Sequence, residues 1–484
     1  MTAASMLLLM GCPDPIPEPA CGDLRTYDLS DCEVGTLGQV YLGGIYNAKV
    51  EWESGATTHS SIYTVVSGAE KIDGHPVQSK DTGTDTYYLG TKWTESGSER
   101  RLSFAGCQGL SHFHFTGHVQ SCVDGVKVDE GTFDARWIDW GDGEGQQEHL
   151  ALVSETKLAS GSAADVWVQG GFAYVAARAG GLAVFDVSVP SAPVQVATVQ
   201  EAGDDWSDAK AVGSTLYVAS AKHGVLLYDI ANPAAPVRLG QVPAGDISVR
   251  ALELDRTSNR LFASSPEPNG EVLVFNIQTP AAPVLRWRIR TAEADVGAGR
   301  WPHAVALLAG RMFVNQGTQG LVSFDVPPEP PGLAEPVQRG TFGSALAGVV
   351  SHSSQAAGAA GRTVVFEGGQ GWGGKLRAVD FSDPVAPAQL AEWLGLRPEL
   401  PMRHLELVGT KLYVAHHQAG LRIIDVSDPS APAQVGYFNT WRPFDVGRGQ
   451  SYFDSAMGVR VPGDGNIYVA ESARGLMIFG ETAP

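Results

Sequence analysis

Seven residues of metal-ligating or acid–base type recur along the last two thirds of a 484-residue chain: Asp165, Asp208, Asp246, His303, His352, His404 and Asp454. Each stands at the start of a short apolar segment, as in AADVWV, WSDAKAV, WPHAVAL and MRHLELV. If these segments are equivalent strands around one axis, their first residues converge on one rim. Carboxylates and imidazoles gathered there are ligand types for a divalent metal, with His303, His352 and His404 supplied by consecutive units. The same side chains can instead bond backbone at a turn, and Asp and His both do so.

A second cluster is HFHFTGH, with His112, His114 and His118. H-x-H on a strand sets two rings on one face about 7 Å apart, which suits metal ligation. Alternating His and Phe is equally the pattern of a strand with one polar face. A third set is aromatic and basic: Trp206, Arg300, Trp301, Trp372, Arg403, His416, His417, Trp441, Arg442 and Arg474. On exposed loops these types make binding surfaces. GQGWGG (369–374) matches G-x-G-x-x-G, but strand-like KLRAVDF follows where a dinucleotide site needs a helix. It reads as a hairpin loop. There is no G-x-S-x-G, P-loop or H-E-x-x-H, so no residue is assigned a catalytic role.

The elements that must position these residues come from a repeat. GLAVFDVSVPSAPVQVATV, GVLLYDIANPAAPVRLGQV and GLRIIDVSDPSAPAQVGYF are three copies of one phrase. Its markers Asp186, Asp229, Asn276, Asp325, Asp380 and Asp425 are spaced 43 to 55 residues apart. Upstream of each lies another strand-like run, such as FAYVAA or KLYVAH. A period near 45 with four short strands per unit predicts propeller blades, seven in number. Asp after the third strand can accept N–H bonds in the following turn, and the two prolines of D-x3-P-x2-P preset φ and remove unpaired donors. The fourth copy departs from the pattern with DVPPEPPGLAEP, and the fifth has an Ala/Gly strand, SQAAGAAG. The seventh unit stops after its third strand at Phe479. Segment 149–158, HLALVSETKL, has outer-strand character and is expected to close the ring by completing that blade. The aromatic and basic set falls in the variable connections, all on one face.

LRIIDVSDPSAPAQVG and LAVFDVSVPSAPVQVA resemble the LVIVD repeat family over about residues 150–480. The resemblance implies an exported β-propeller of bacterial or archaeal surfaces, with a binding role. Leu9-Met10-Gly11-Cys12 resembles a bacterial lipobox, which implies that Cys12 carries lipid; the apolar run is short and no Lys or Arg precedes it. The Pro-rich PDPIPEPA after it reads as a stiff spacer.

Residues 21–140 lack the repeat and read as antiparallel strands joined by polar turns, an all-β sandwich or barrel. Cys21, Cys32, Cys107 and Cys122 all lie there, with no close CxxC pair for zinc. Sequence proximity favours Cys21–Cys32 and Cys107–Cys122 among the three possible pairings. Disulfides imply an oxidising compartment. The expected organisation is a signal and spacer to residue 20, the small β domain over 21–140, a linker over 141–148 and the propeller over 149–484.

The net charge of −19 argues against nucleic acid; the short basic cluster Arg286, Arg288 and Arg290 alternates onto one exposed strand face. No apolar run reaches the roughly 20 residues of a membrane helix. The expectation is a monomeric lipoprotein of the bacterial cell envelope, membrane-bound only through its anchor. Its variable loops would bind an envelope or extracellular protein or glycan. Two alternatives remain: a metal-binding protein or metal-dependent enzyme with a divalent ion at the channel mouth, and a structural envelope protein.

Overall fold

Short apolar runs that alternate with polar residues and end in Gly, Pro or Asp form strands, and strands make up nearly all the regular structure. A computed structural model describes residues 19–64, 70–141, 143–328, 334–343, 349–442, 445 and 453–483. Cys12 and the apolar run before it lie outside the described residues. Among the described residues, helix is confined to two short 3-10 turns, Leu24–Thr26 and Val34–Gln39. No helix there is long and apolar enough to cross a membrane. The chain divides into two units between Trp137 and Ile138.

The first unit is a closed antiparallel barrel of eight strands. They are β1 Gly44–Trp52, β2 Thr57–Thr64, β3 Lys71–Ile72, β4 His75–Thr82, β5 Tyr87–Glu95, β6 Ser98–Ser111, β7 His114–Val123 and β8 Val126–Trp137. β8 returns to β1, with Phe133 opposite Val50, so the sheet has no open edge. Tyr46, Phe104, Phe115 and Phe133 belong to its buried core. The disulfides are Cys21–Cys122 and Cys32–Cys107, not the sequence-local pairs. The strand register sets this pairing. Cys122 faces Arg101, whereas Cys107 sits at the bulge beside Gly117. That places the two cysteines five to six residues apart along the ladder, roughly 17–20 Å and far beyond disulfide reach. Each instead holds the segment that precedes β1.

The second unit is a ring of seven sheets. Their innermost strands are Asp165–Gln169, Trp206–Val212, Ala251–Asp255, Ala304–Leu308, Val350–Ala359, His404–Val408 and Ala456–Arg460. Each touches the next, and the last touches the first. Apolar clusters knit neighbouring blades: Val166, Val175 and Phe185 of blade one pack with Tyr468, Leu476 and Ile478 of blade seven. In five blades the turn after the third strand is held by its marker residue. Asp186, Asp229, Asp380 and Asp425 accept the N–H two residues on at 2.8–2.9 Å, and Asn276 does so at 3.0 Å. In the fourth copy, which lacks the regular turn, Asp325 instead accepts from Arg339 at 2.7 Å.

Blade seven is completed by Leu150–Thr156, which pairs with Gly475–Glu481. Gly475 has φ +83°, and a Cβ there would lie 2.4 Å from the Thr156 carbonyl oxygen. At Gly181 of blade one, φ +79°, a Cβ would likewise lie 2.1 Å from the Val199 carbonyl oxygen. The strand from the start of the unit therefore occupies the outer-strand place of the last blade. Its Glu155 receives Arg474 and, at 2.9 Å, Arg442. Residues 141–148 are more than a linker: the buried Glu144 carboxylate holds Arg422 of blade six at 2.8 Å. Gln147–Glu148 also adds a fifth strand to that sheet.

Candidate functional site

Every innermost strand begins on the same face of the ring, and the mouth of the channel there holds a cavity of about 750 Å³. Asp165, Asp208, His303, His352, His404 and Asp454 all line it, at the starts of six blades. Asp246 does not. The chain after it is drawn into pairing with the loop of blade two, where Gly224 N–H donates to Ile247 O at 2.7 Å and Ile247 N–H to Lys222 O at 3.0 Å. The third innermost strand therefore starts later, at Ala251. Asp246 sits exposed beside His223 at 3.2 Å.

The three imidazoles do not form one ligand set among the described residues. The His303 and His352 rings are 5.0 Å apart, and His303 stacks on Trp301 at 3.7 Å. Both nitrogens of His352 are engaged by Arg403. A guanidinium only donates, so His352 Nε2 accepts from Arg403 Nη1 at 2.5 Å. His352 Nδ1–H then donates to the Arg403 carbonyl at 3.0 Å. Arg403 Nη1 also lies 3.2 Å from Nδ1; the neutral tautomer with Nδ1–H is the one that satisfies the carbonyl. His404 Nδ1 accepts the Val459 N–H at 3.2 Å. Burial holds all three below the ordinary imidazole range, with help from Arg403: His303 at about 3, His404 at about 4 and His352 well down.

Deeper in the channel, Lys210 Nζ lies 2.5 Å from Asp208 and 3.2 Å from Asp165. Asp208 also accepts the Leu252 N–H at 2.7 Å. Burial raises Asp208 well above the usual carboxylate range. Burial opposes ionisation of Asp165 too, but Lys210 and His404 outweigh it and bring the group to about 2. Lys210 lies two residues after Asp208 on the same strand face and was legible by alternation. Arg178 and Arg250, on the cavity wall, were not. They share one oxygen of Asp205, at 3.4 and 3.3 Å. Arg403 lies deep in the mouth with part of its surface open to the cavity. Burial and the nearby Arg178 charge push its pKa down to about 9. No carboxylate among the described residues forms an ion pair with it.

Of the aromatic and basic set, Trp301 and Arg403 line the cavity. Arg300 and Trp372 are half-buried in their loops, and Arg300 leans on Asp295 at 3.6 Å. Trp206, His416, His417, Trp441 and Arg474 are buried, against the expectation of an exposed face. Trp206 opens the innermost strand of blade two and its Nε1–H donates to Asp204 at 2.7 Å, whereas the connections that carry His416 and Arg474 fold back on the blades, with His416 Nε2–H donating to Leu400 O at 3.1 Å and Arg474 Nη1–H to Thr440 O at 3.0 Å. Arg442 is fastened to Glu155 and Asp445.

In the barrel, His112 falls in the β6–β7 turn and its Nδ1–H donates to Gln39 O at 2.7 Å. His114 opens β7 and bonds Asp134 at 3.0 Å. The two rings therefore do not share one strand face. Cys32, Cys107 and His118 come together, but the two sulfurs are bonded to each other and offer no thiolate. A separate group at Glu201, Asp204 and His223 already has Arg238, Trp206 and Ser220 on its carboxylates.

The family model for the LVIVD repeat matches this chain at residues 160–201, 205–243 and 403–440, within blades one, two and six. The chain is similar in fold to the WD40 β-propeller domain of Doa1, at TM-score 0.50 and 11% identity over 69% of this chain and 97% of that one. It is also similar to a chain of the mitotic checkpoint complex, at TM-score 0.47 and 12% identity over 70% and 96% of the two chains. At 11% identity the likeness to the Doa1 domain shows the propeller fold alone. No curated protein matches the chain.

Proposed function

We propose that this LVIVD-repeat propeller is an exported binding protein that takes a ligand, or the end group of a larger one, into its channel mouth. The observation that carries the reading is the cavity of about 750 Å³ built from the starts of the innermost strands. Its volume lies within the range of small-molecule sites, and its wall mixes apolar side chains with a few convergent polar groups. Export is supported by two disulfides, which persist in oxidising compartments. The lipobox-like run ending at Cys12 supports placement in the bacterial cell envelope.

The neutral imidazoles beside a guanidinium favour ligand binding over a metal centre, because Arg403 repels a divalent cation and occupies His352. The test is retention of a ligand from envelope extract, read by native mass spectrometry. Wild type is expected to retain a species that Ala304→Trp, which fills the cavity wall, does not. Equal retention by a folded Ala304→Trp variant would move the site away from the mouth.

A further inference from the structure

We propose that the group received in the mouth carries a single carboxylate on an apolar body, and that Arg403 is its anchor. The proposal rests on the reading of the mouth as the binding site and adds the chemistry of what enters it. Arg403 carries five N–H donors and uses Nη1 on the neutral His352. His352 brings no charge to offset the guanidinium. Asp165 and Asp208 are engaged with Lys210, and Asp205 is shared by Arg178 and Arg250. A guanidinium enclosed by protein without a counter-ion lowers stability. A planar carboxylate matches its fork bidentately and removes that penalty.

The local charges also select the ligand's charge. One guanidinium lacks an ion-pair partner, the next two already share a carboxylate, and below them Lys210 is neutralised. A single carboxylate matches the one guanidinium without an ion pair, and any further negative charge meets Asp165, Asp208, Glu253, Glu267 and Asp454 on the same cavity wall. The same cavity wall carries apolar side chains, among them Trp301, Leu252, Val305 and Phe453. These side chains fit the flat or hydrophobic body of such a ligand. The role of Arg403 is thereby separable from a purely structural one. A structural arginine lowers stability when removed, whereas this one, lacking a counter-ion, is expected to leave it unchanged or raised.

The experiment is calorimetric titration of the full chain at pH 7 with 2-naphthoate, 2-naphthalenemethanol and 2-naphthylmethylamine. The carboxylate is expected to bind about tenfold tighter than the alcohol, the size of a charge-assisted pair. Arg403→Met is expected to lose that tenfold, leave the alcohol unchanged and melt at or above the wild type. Arg403→Lys, which keeps charge without the fork, is expected to weaken naphthoate by roughly threefold or more and remains usable if the Met variant does not fold. Equal binding of acid and alcohol, tightest binding of the amine, no binding of any probe, or unchanged naphthoate affinity in both variants overturns the proposal. If the amine or the alcohol binds as tightly as naphthoate or tighter, and Ala304→Trp abolishes that binding, the carboxylate assignment falls and the mouth remains the site.

Discussion

Glu155→Ala tests how the propeller ring is closed. Glu155 lies on the strand that completes blade seven and receives Arg474, whose side chain is 2% exposed, and Arg442, which is half-buried. Removing the carboxylate leaves the Arg474 side chain, among the described residues, with only the Thr440 carbonyl at 3.0 Å. Breaking a buried ion pair costs about 3–5 kcal/mol, and partial exposure of Glu155 reduces this to about 2–3 kcal/mol. For a unit of this size that corresponds to a fall in Tm of roughly 3 °C. Burial raises the pKa of Glu155, but Arg474 and Arg442 outweigh it and the net direction is down. Its contribution is therefore present above the unfolded value near 4.5 and disappears as pH falls through the lower folded value. Differential scanning calorimetry of wild type and variant should show the gap at pH 7 and its narrowing below that range. The double variant Glu155→Ala/Arg474→Met should recover part of the loss, because no buried charge is left behind. A gap under 1 °C at pH 7, or a double variant worse than the sum of the singles, would refute closure through this ion pair.

Non-reducing peptide mapping should recover Cys21 with Cys122 and Cys32 with Cys107; peptides joining Cys107 to Cys122 would contradict the barrel register. Reductant should lower the barrel's transition and leave the propeller's in place. In the mouth, imidazoles held at about 3 for His303 and about 4 for His404 stay neutral while unfolded ones protonate near 6.5. A depressed histidine therefore takes stability away as pH falls from about 6.5 toward those folded values. His303→Gln should flatten the fall in Tm between pH 6.5 and 4; an unchanged slope would show that this histidine is not buried neutral.

Much of the propeller was legible because its repeat is written in turn chemistry. The D-x3-P-x2-P phrase marks the same hydrogen-bonded turn wherever it recurs, and the missing outer strand of the last blade points back to segment 149–158. The convergence of strand starts followed from the same register and placed His303, His352 and His404 on the mouth. What failed depended on contacts between segments distant in sequence. Asp246 left the rim because Ile247 bonds the loop of blade two. Trp206, His416 and Arg474 look like loop residues in sequence, yet Trp206 opens an innermost strand and the connections of the other two fold back and bury them. The barrel's cysteines pair according to strand register, which sequence proximity does not reveal. Arg178 and Arg250 carry no local signal; only the ring brings them beside Arg403.

The channel mouth is the proposed binding site of this propeller. The most direct measurement is a crystal structure of the chain purified with whatever it retains from cell-envelope extract. Density for an organic group in the mouth, with a carboxylate at hydrogen-bond distance from the Arg403 guanidinium, is the predicted result. A mouth filled by ordered water alone, with the retained molecule seated elsewhere on the chain, would contradict it.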